Sequence, residues 1–263
     1  MEWWQILLIV LGGLLILFIL SIVFYKSFFK RFWDIVLSGL AIIILSPVLF
    51  ILSILGLIFM KGNPFFTQKR PGKKDRKGTE RIFKLIKFRT MSNQKDDLGN
   101  LLPDEQRLNK YGKFLRSTSL DELPELFNIF IGDMSIIGPR PQLVRDMVFM
   151  SEKQRHRHDV KPGLSGLAQV NGRNNITWEE KIEYDLDYIK AISLFSDVKL
   201  IFKTLLKVFK REDIVRDGTA SDIDFGEWLL KEGIVNQDEY YKKQEEAKEI
   251  IEGRTKWCIN HFL

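Results

Sequence analysis

The first sixty or so residues and the rest of the chain follow different patterns of hydrophobic and polar positions. From Trp3 to Tyr25 apolar residues follow one another almost without interruption, long enough to cross a bilayer core of about 30 Å as a helix. Met1–Gln5 carries no basic residue and no small-x-small cleavage pattern follows, so the run reads as an uncleaved anchor. Trp3 and Trp4 suit its outer interface, and Lys26, Lys30 and Arg31 its inner one. A second apolar run, Phe32 to Met60, is interrupted at its middle by Ser46-Pro47. Proline removes a backbone hydrogen bond and bends a helix, and Ser46 is placed to satisfy the carbonyl so freed. Both flanks of this run are basic, which fits a helix that enters the membrane and returns to the same face; a kinked spanning helix is the alternative. Asp34 fits a headgroup-level position in either case.

Beyond Phe65 the pattern becomes that of a mixed domain. Arg81–Arg89 is rich in strand formers with a basic face and predicts a strand. A short helix is expected around Pro103–Tyr111, and another beginning a few residues before Pro124, where proline is tolerated in a first turn. Thr177–Ile192 reads as helix. Val198–Lys210 reads as an amphipathic helix with lysines at 199, 203, 207 and 210, suited either to an anionic membrane surface or to packing with its lysines outward. Near the end, Asp224–Glu246 suggests two short helices about Gly233, loosely like small oligomerisation modules. The expected fold class is α+β, mostly helical. It comprises an N-terminal transmembrane helix (1–29), a second membrane helix broken at Ser46-Pro47 (30–62), a compact domain with amphipathic helices (63–212), and a helical extension (213–263).

Charge sharpens this picture. The chain has a formal net charge of +6, and eleven Lys/Arg against two acids lie between Lys61 and Thr90, a cluster suited to phosphate-rich partners. A single cysteine, Cys258, excludes an internal disulfide, and three histidines make a zinc site a poor fit. Among candidate chemistry, Asp121-Glu122 stands out by position. At a helix N-terminus the free N–H groups would keep Asp121 ionised, able to attack phosphorus or bind Mg²⁺, with Glu122 as acid/base partner. The same residues also read as a capping box, with Ser119 as N-cap and Glu122 as its partner. Arg116 lies just upstream. Arg140, fixed by prolines in Gly138-Pro139-Arg140-Pro141, suits a phosphate clamp. Arg89, Lys161 and Arg173 are further candidate anion ligands.

Five stretches together resemble the monotopic phosphoglycosyl transferases, or bacterial sugar transferases: Gln68–Gly72, Lys87–Met91, Leu115–Pro124, Gly132–Pro141 and Lys161–Arg173. They occur in family order over roughly residues 30–210, and Ser46-Pro47 matches the family's re-entrant helix, so the resemblance implies a re-entrant membrane helix-hairpin at 30–62 and a cytoplasmic catalytic domain with amphipathic interfacial helices at 63–212. The resemblance implies a phosphosugar transfer from a UDP-sugar to polyprenyl (undecaprenyl) phosphate with release of UMP. Asp121 would form a covalent aspartyl intermediate, assisted by Glu122 and by Mg²⁺ near Asp121. Arg89, Arg116, Arg140, Lys161, Gln169 and Arg173 would hold substrate, at the cytoplasmic face of a bacterial plasma membrane. Membrane lipids are implied partners, nucleic acid is not, and a homo-oligomer is compatible. Leu167 stands where many relatives carry Trp and Ser165 where Thr is common. Rival readings are a membrane-tethered nucleic-acid binder, stacking bases on Phe65, Phe66, Phe83 and Phe88, a non-catalytic envelope scaffold, and a conventional glycosyltransferase releasing UDP.

Overall fold

The structure, a computed structural model, describes residues 2–172, 176–210 and 223–253. Helix α1 (Trp3–Val23) leaves nearly all of its apolar surface uncovered, and touches the rest of the chain near its C-terminus, where Trp33 Nε1 donates to Ser21 Oγ at 3.0 Å. A π-helical turn (Tyr25–Phe29) leads into α2 (Lys30–Met60). Both helices are long and apolar enough to cross a membrane.

Helix α2 is the keel of the fold. The sequence placed a break at Ser46-Pro47, but the helix continues through it with Pro47 inside. The reason is local. Pro47 has no N–H for the Ile43 carbonyl four residues back, and Ser46 Oγ donates to that oxygen at 2.8 Å instead. One side of α2 is packed along its length. Asp34 is buried and accepts hydrogen bonds from Ser135 Oγ and Ile136 N, at 3.1 and 2.9 Å. Ala41, Ile42 and Leu45 meet Phe83, Leu85, Leu126, Ile129 and Met134, while Leu49, Leu52 and Met60 meet Phe88, Tyr111 and Leu115. The opposite side, with Ile43, Ile44 and Phe50 about 70 % exposed, faces away from the domain.

On this keel rest two small sheets. Strands β1 (Phe65–Lys74) and β2 (Glu80–Phe88) form an antiparallel hairpin that pairs Phe65 with Phe88 and Lys69 with Lys84. The expected 81–89 strand is therefore present. β1 was not foreseen, because Pro71-Gly72 argues against a strand; the register shifts between Pro71 and Lys74 to accommodate it. Next come α3 (Asp104–Arg107), α4 (Lys110–Thr118), a 3₁₀ turn (Leu120–Glu122) and α5 (Glu125–Ile131). Strand β3 (Ser135–Ile137) then pairs in parallel with β4 (Gly163–Ser165). Between them lie α6 (Val144–Met147), α7 (Glu152–Arg155) and a 3₁₀ turn (His156–Asp159). The β3–β4 contact requires glycine. A Cβ on Gly163 would lie 2.1 Å from Gly138 N, and one on Gly166 2.1 Å from Gly138 O.

Helix α8 (Leu167–Asn171) precedes α9 (Trp178–Lys190), whose capping box uses Thr177 and Glu180. Helix α10 (Leu194–Lys210) buries Leu200 and Asp197 while leaving Phe195, Phe202, Leu206 and the lysines 199 and 203 exposed. Asp197 accepts from Tyr25 Oη (2.7 Å), Tyr188 Oη (2.9 Å) and Lys30 Nζ (2.5 Å), which ties the root of α2 to α9 and α10. The two tail helices, α11 (Phe225–Lys231) and α12 (Gln237–Glu252), flank Gly233 as the sequence suggests. They dock on their own domain: Ala247 and Ile250 pack on Val144, Met147 and Val148, and Phe225 and Leu229 on Trp178, Ile182 and Met150.

Candidate active site

Asp121 and Glu122 sit in the 3₁₀ turn that joins α4 to α5, where Leu120 and Leu123 pack against the cluster that holds Leu49 and Leu52 of α2. The capping-box reading fails here. Ser119 adopts a left-handed conformation (φ 55°) and closes the C-terminus of α4, and its side chain caps nothing in the turn that follows. Glu122 is turned instead toward cations: Lys87 Nζ lies at 2.9 Å and Arg140 Nη2 at 3.1 Å from its Oε1. Lys87 also reaches Glu125 Oε1 at 3.0 Å, so one ammonium bridges two carboxylates. β2 delivers Lys87, α5 delivers Glu125, and the loop after β3 delivers Arg140.

That loop is well secured. Arg157, almost fully buried and paired with Asp185, donates to the Arg140 carbonyl at 2.8 Å, and Arg70 Nη1 donates to the Pro141 carbonyl at 3.3 Å. Arg116, on the last turn of α4, donates from Nε to Thr90 Oγ1 at 3.1 Å. Helix α4 can approach Thr90 because residue 112 is glycine; a Cβ there would meet the Thr90 carbonyl at 1.9 Å.

The electrostatics divide the acids by role. Burial, then the adjacent Glu122 charge, pushes the Asp121 carboxyl up to about 6, against the pull of Lys87, Arg116 and Arg140. Burial would raise Glu122 too, but Lys87 and Arg140 outweigh it and hold this carboxyl well below the usual range. Glu125, more deeply buried and with Lys87 as its ion-pair partner, rises to about 7. Lys87, Arg116 and Arg140 limit that rise, so at about 6 Asp121 is largely charged at neutral pH. Its carboxylate accepts no hydrogen bond from the described residues, which leaves both oxygens for a substrate or a metal ion. A cage of three or more acidic, histidine or cysteine ligands does not occur among the described residues. The donor set thus fits Mg²⁺ only where phosphate oxygens complete its coordination.

Of the sequence-derived candidates, Arg116 and Arg140 join Asp121 and Glu122. Arg89 is directed elsewhere, with Nη2 3.4 Å from the Phe65 carbonyl. Gln169 is buried and donates to the Leu164 carbonyl at 2.9 Å, bracing the turn after β4. Lys161 lies beside Gly132, at the far end of α5. Arg173 falls outside the described residues. Lys87 and Glu125 were not singled out, although Glu125 follows Glu122 at a helical interval of three and Lys87 alternates with Leu85 on the strand's inner face. The aromatics that a nucleic-acid binder would need are mostly taken up in packing: Phe83 and Phe88 are buried, and Phe65 stacks on Phe88 at 5.3 Å.

The chain thus combines a cation–carboxylate cluster with two helices long and apolar enough to cross a membrane. The bacterial sugar transferase family matches residues 25–211, and the chain belongs to that family. It is 43% identical over 186 residues to the uncharacterized sugar transferase EpsL of Bacillus subtilis (strain 168), covering 70% of this chain and 89% of that protein. It is 41% identical over 191 residues to the UDP-glucose:undecaprenyl-phosphate glucose-1-phosphate transferase of Klebsiella pneumoniae, covering 69% of this chain and 40% of that protein. For the undecaprenyl-phosphate galactose phosphotransferase of Salmonella typhimurium the identity is 34% over 211 residues, 71% of this chain and 42% of that protein. The chain thus spans about two fifths of the length of these last two. Residues 223–253, α11 and α12 included, lie beyond the family match.

Proposed function

We propose that this protein transfers a sugar 1-phosphate from a UDP-sugar to polyprenyl phosphate through a covalent intermediate on Asp121. An Asp121 carboxylate oxygen attacks the β-phosphorus of the UDP-sugar. The bond from that phosphorus to the bridging oxygen breaks, and UMP leaves with the electron pair. A phosphate oxygen of the polyprenyl phosphate then attacks the same phosphorus, forms the diphosphate link and frees Asp121. Arg116 and Arg140 neutralise the phosphates during both displacements, and Lys87 keeps Glu122 charged and Asp121 ionisable. Glu122, held by two cations, orients Arg140 and serves as the dyad partner. Mg²⁺, when bound, would be held by Asp121 together with substrate phosphate oxygens and would offset phosphate charge.

The observation that carries this reading is Asp121 itself: a carboxylate without an ion pair or hydrogen bond among the described residues, raised to about 6 and ringed by three cations. Every other acid of the cluster is already engaged. The family match and the relatives that act on UDP-glucose and undecaprenyl phosphate support the substrate class.

The same reading makes α2 a re-entrant helix. Both of its ends, at Asp34 and Met60, are bound to one domain, and that domain follows the helix from end to end. A helix spanning about 30 Å of hydrocarbon places its ends on opposite sides of the bilayer, where one domain cannot hold both. The exposed Phe195, Phe202 and Leu206 of α10, with its lysines, suit contact with the cytoplasmic headgroup layer.

The test is a panel of UDP-sugars incubated with full-length protein, polyprenyl phosphate and Mg²⁺. UMP release is expected with one or a few sugars, and its loss in Asp121→Asn. Undiminished UMP release by Asp121→Asn refutes the nucleophile, and UDP as the product refutes phosphosugar transfer.

A further inference from the structure

Lys161 was expected beside the reactive carboxylates, and its actual neighbours point to another site. It stands at the C-terminal end of α5, roughly 10 Å of helix away from Asp121. There Gly132 (φ 101°) reverses the chain, and the missing side chain of Gly132 leaves a niche. A Cβ at that position would lie 3.1 Å from Arg31 Nη2 and 3.3 Å from Lys161 Nζ, so two cationic nitrogens converge on one small space.

Arg31 is fixed in place. It donates to the carbonyls of Ile129 (2.6 Å) and Phe130 (2.7 Å) at the end of α5. Its remaining N–H groups are left for another partner. Lys161 is half-buried and has no hydrogen bond or ion pair among the described residues. Burial, then the charges of Arg31 and Lys73, lower its proton affinity against the pull of Asp34 and Asp133. The two acids nearby are engaged elsewhere: Asp133 faces Arg81 at 3.5 Å, and Asp34 accepts from Ser135 and Ile136. Around the niche the surface is apolar and open, with Phe32 44%, Phe130 45% and Ile131 66% exposed. Cations beside exposed phenylalanine, at the start of a membrane helix, mark the headgroup level of a bilayer.

We propose that Arg31, Lys73 and Lys161 form a binding site for the phosphodiester headgroup of an anionic bilayer lipid, separate from the reaction centre. One phosphate seated against Gly132 bridges Arg31 and Lys161, and the exposed Lys73 adds its charge to theirs. The bound lipid thereby locks the end of α5, and with it the turn carrying Asp121 and Glu122, at a set depth. The site depends on the membrane reading of α2 and not on the chemistry of Asp121, so UMP release measured in the same samples separates the two.

The experiment is native mass spectrometry of the full chain taken from bilayers of phosphatidylcholine with phosphatidylglycerol. The wild type is expected to retain phosphatidylglycerol selectively. Lys161→Gln and Lys73→Gln should each weaken retention about fivefold, the worth of one basic residue at an anionic surface. Lys73 is exposed, so its replacement tests the site even if Lys161→Gln folds poorly. Lys203→Gln on α10 serves as control, and an equal loss there would reduce the effect to general surface attraction and overturn the site. Displacement of the lipid by inorganic phosphate would assign the niche to free phosphate. Stoichiometric displacement by polyprenyl phosphate would assign it to the acceptor. Either result, or unchanged retention in both variants, overturns the proposal.

Discussion

Replacing Lys87 by Met removes the one side chain that joins two acids of the site. Its ammonium lies 2.9 Å from Glu122 and 3.0 Å from Glu125 and is 19% exposed, so the pairs count as largely buried. Removing one partner of a buried ion pair costs about 3–5 kcal/mol, because the other charge stays buried and unpaired. Two features favour the lower end of that range: Arg140 still holds Glu122, and Glu125, already raised to about 7, can take up a proton. A loss of about 3 kcal/mol lowers Tm by roughly 6–12 °C in a domain of this size. The deficit should depend on pH in a definite sense. Without Lys87 the native carboxyls hold their protons more tightly, so the variant is closest to wild type near pH 5 and falls behind as the pH rises to 8. Lys87 also lowers the Asp121 carboxyl, so the acid limb of UMP release should move above its wild-type position near 6. Thermal unfolding in detergent at pH 5, 6, 7 and 8, alongside single-turnover UMP release, measures both effects. A variant melting within about 2 °C of wild type at every pH, with an unmoved acid limb, would refute the bridging role of Lys87.

Glu125→Gln should raise Tm, and by more at pH 8 than at pH 5: a carboxyl lifted from 4.5 to about 7 contributes stability below its unfolded value that is lost as pH rises through 7. Equal melting shifts at both pH values would count against a buried, raised Glu125. Gly112→Ala puts a methyl group 1.9 Å from the Thr90 carbonyl, so α4 must shift and carry Arg116 with it; stability and UMP release should both fall, and wild-type values for both would contradict the packing. For topology, single cysteines placed between Lys26 and Arg31 and near Lys73, in a Cys258→Ser background, should both label from the cytoplasmic side alone. Labelling from opposite sides restores a spanning α2.

Much of the layout is legible along the chain because it follows from local rules. The two long apolar runs make α1 and α2 legible from composition, although the break expected within α2 does not form. The Thr177 cap, the Gly233 turn and the alternation of β2 are equally local, and so is the hydrogen bond from Ser46 that carries α2 through Pro47. What the sequence could not reveal is which charges meet. Lys87, Glu122, Glu125 and Arg140 come from a strand, a turn, a helix and a loop, and their partnership exists only once β2, α5 and the β3–β4 loop are packed on α2. For the same reason Ser119-Leu120-Asp121-Glu122 looked like a capping box. A local bond to Ser119 competes poorly with two cations at 2.9 and 3.1 Å, and those cations arrive from distant parts of the chain. Lys161, apparently one more phosphate ligand by its place in a glycine-rich turn, is carried by β4 to the opposite end of α5. Sequence determined most of the elements and the candidate acids; tertiary packing decided the pairing of β1, which acid is held, which is free, and where each cation serves.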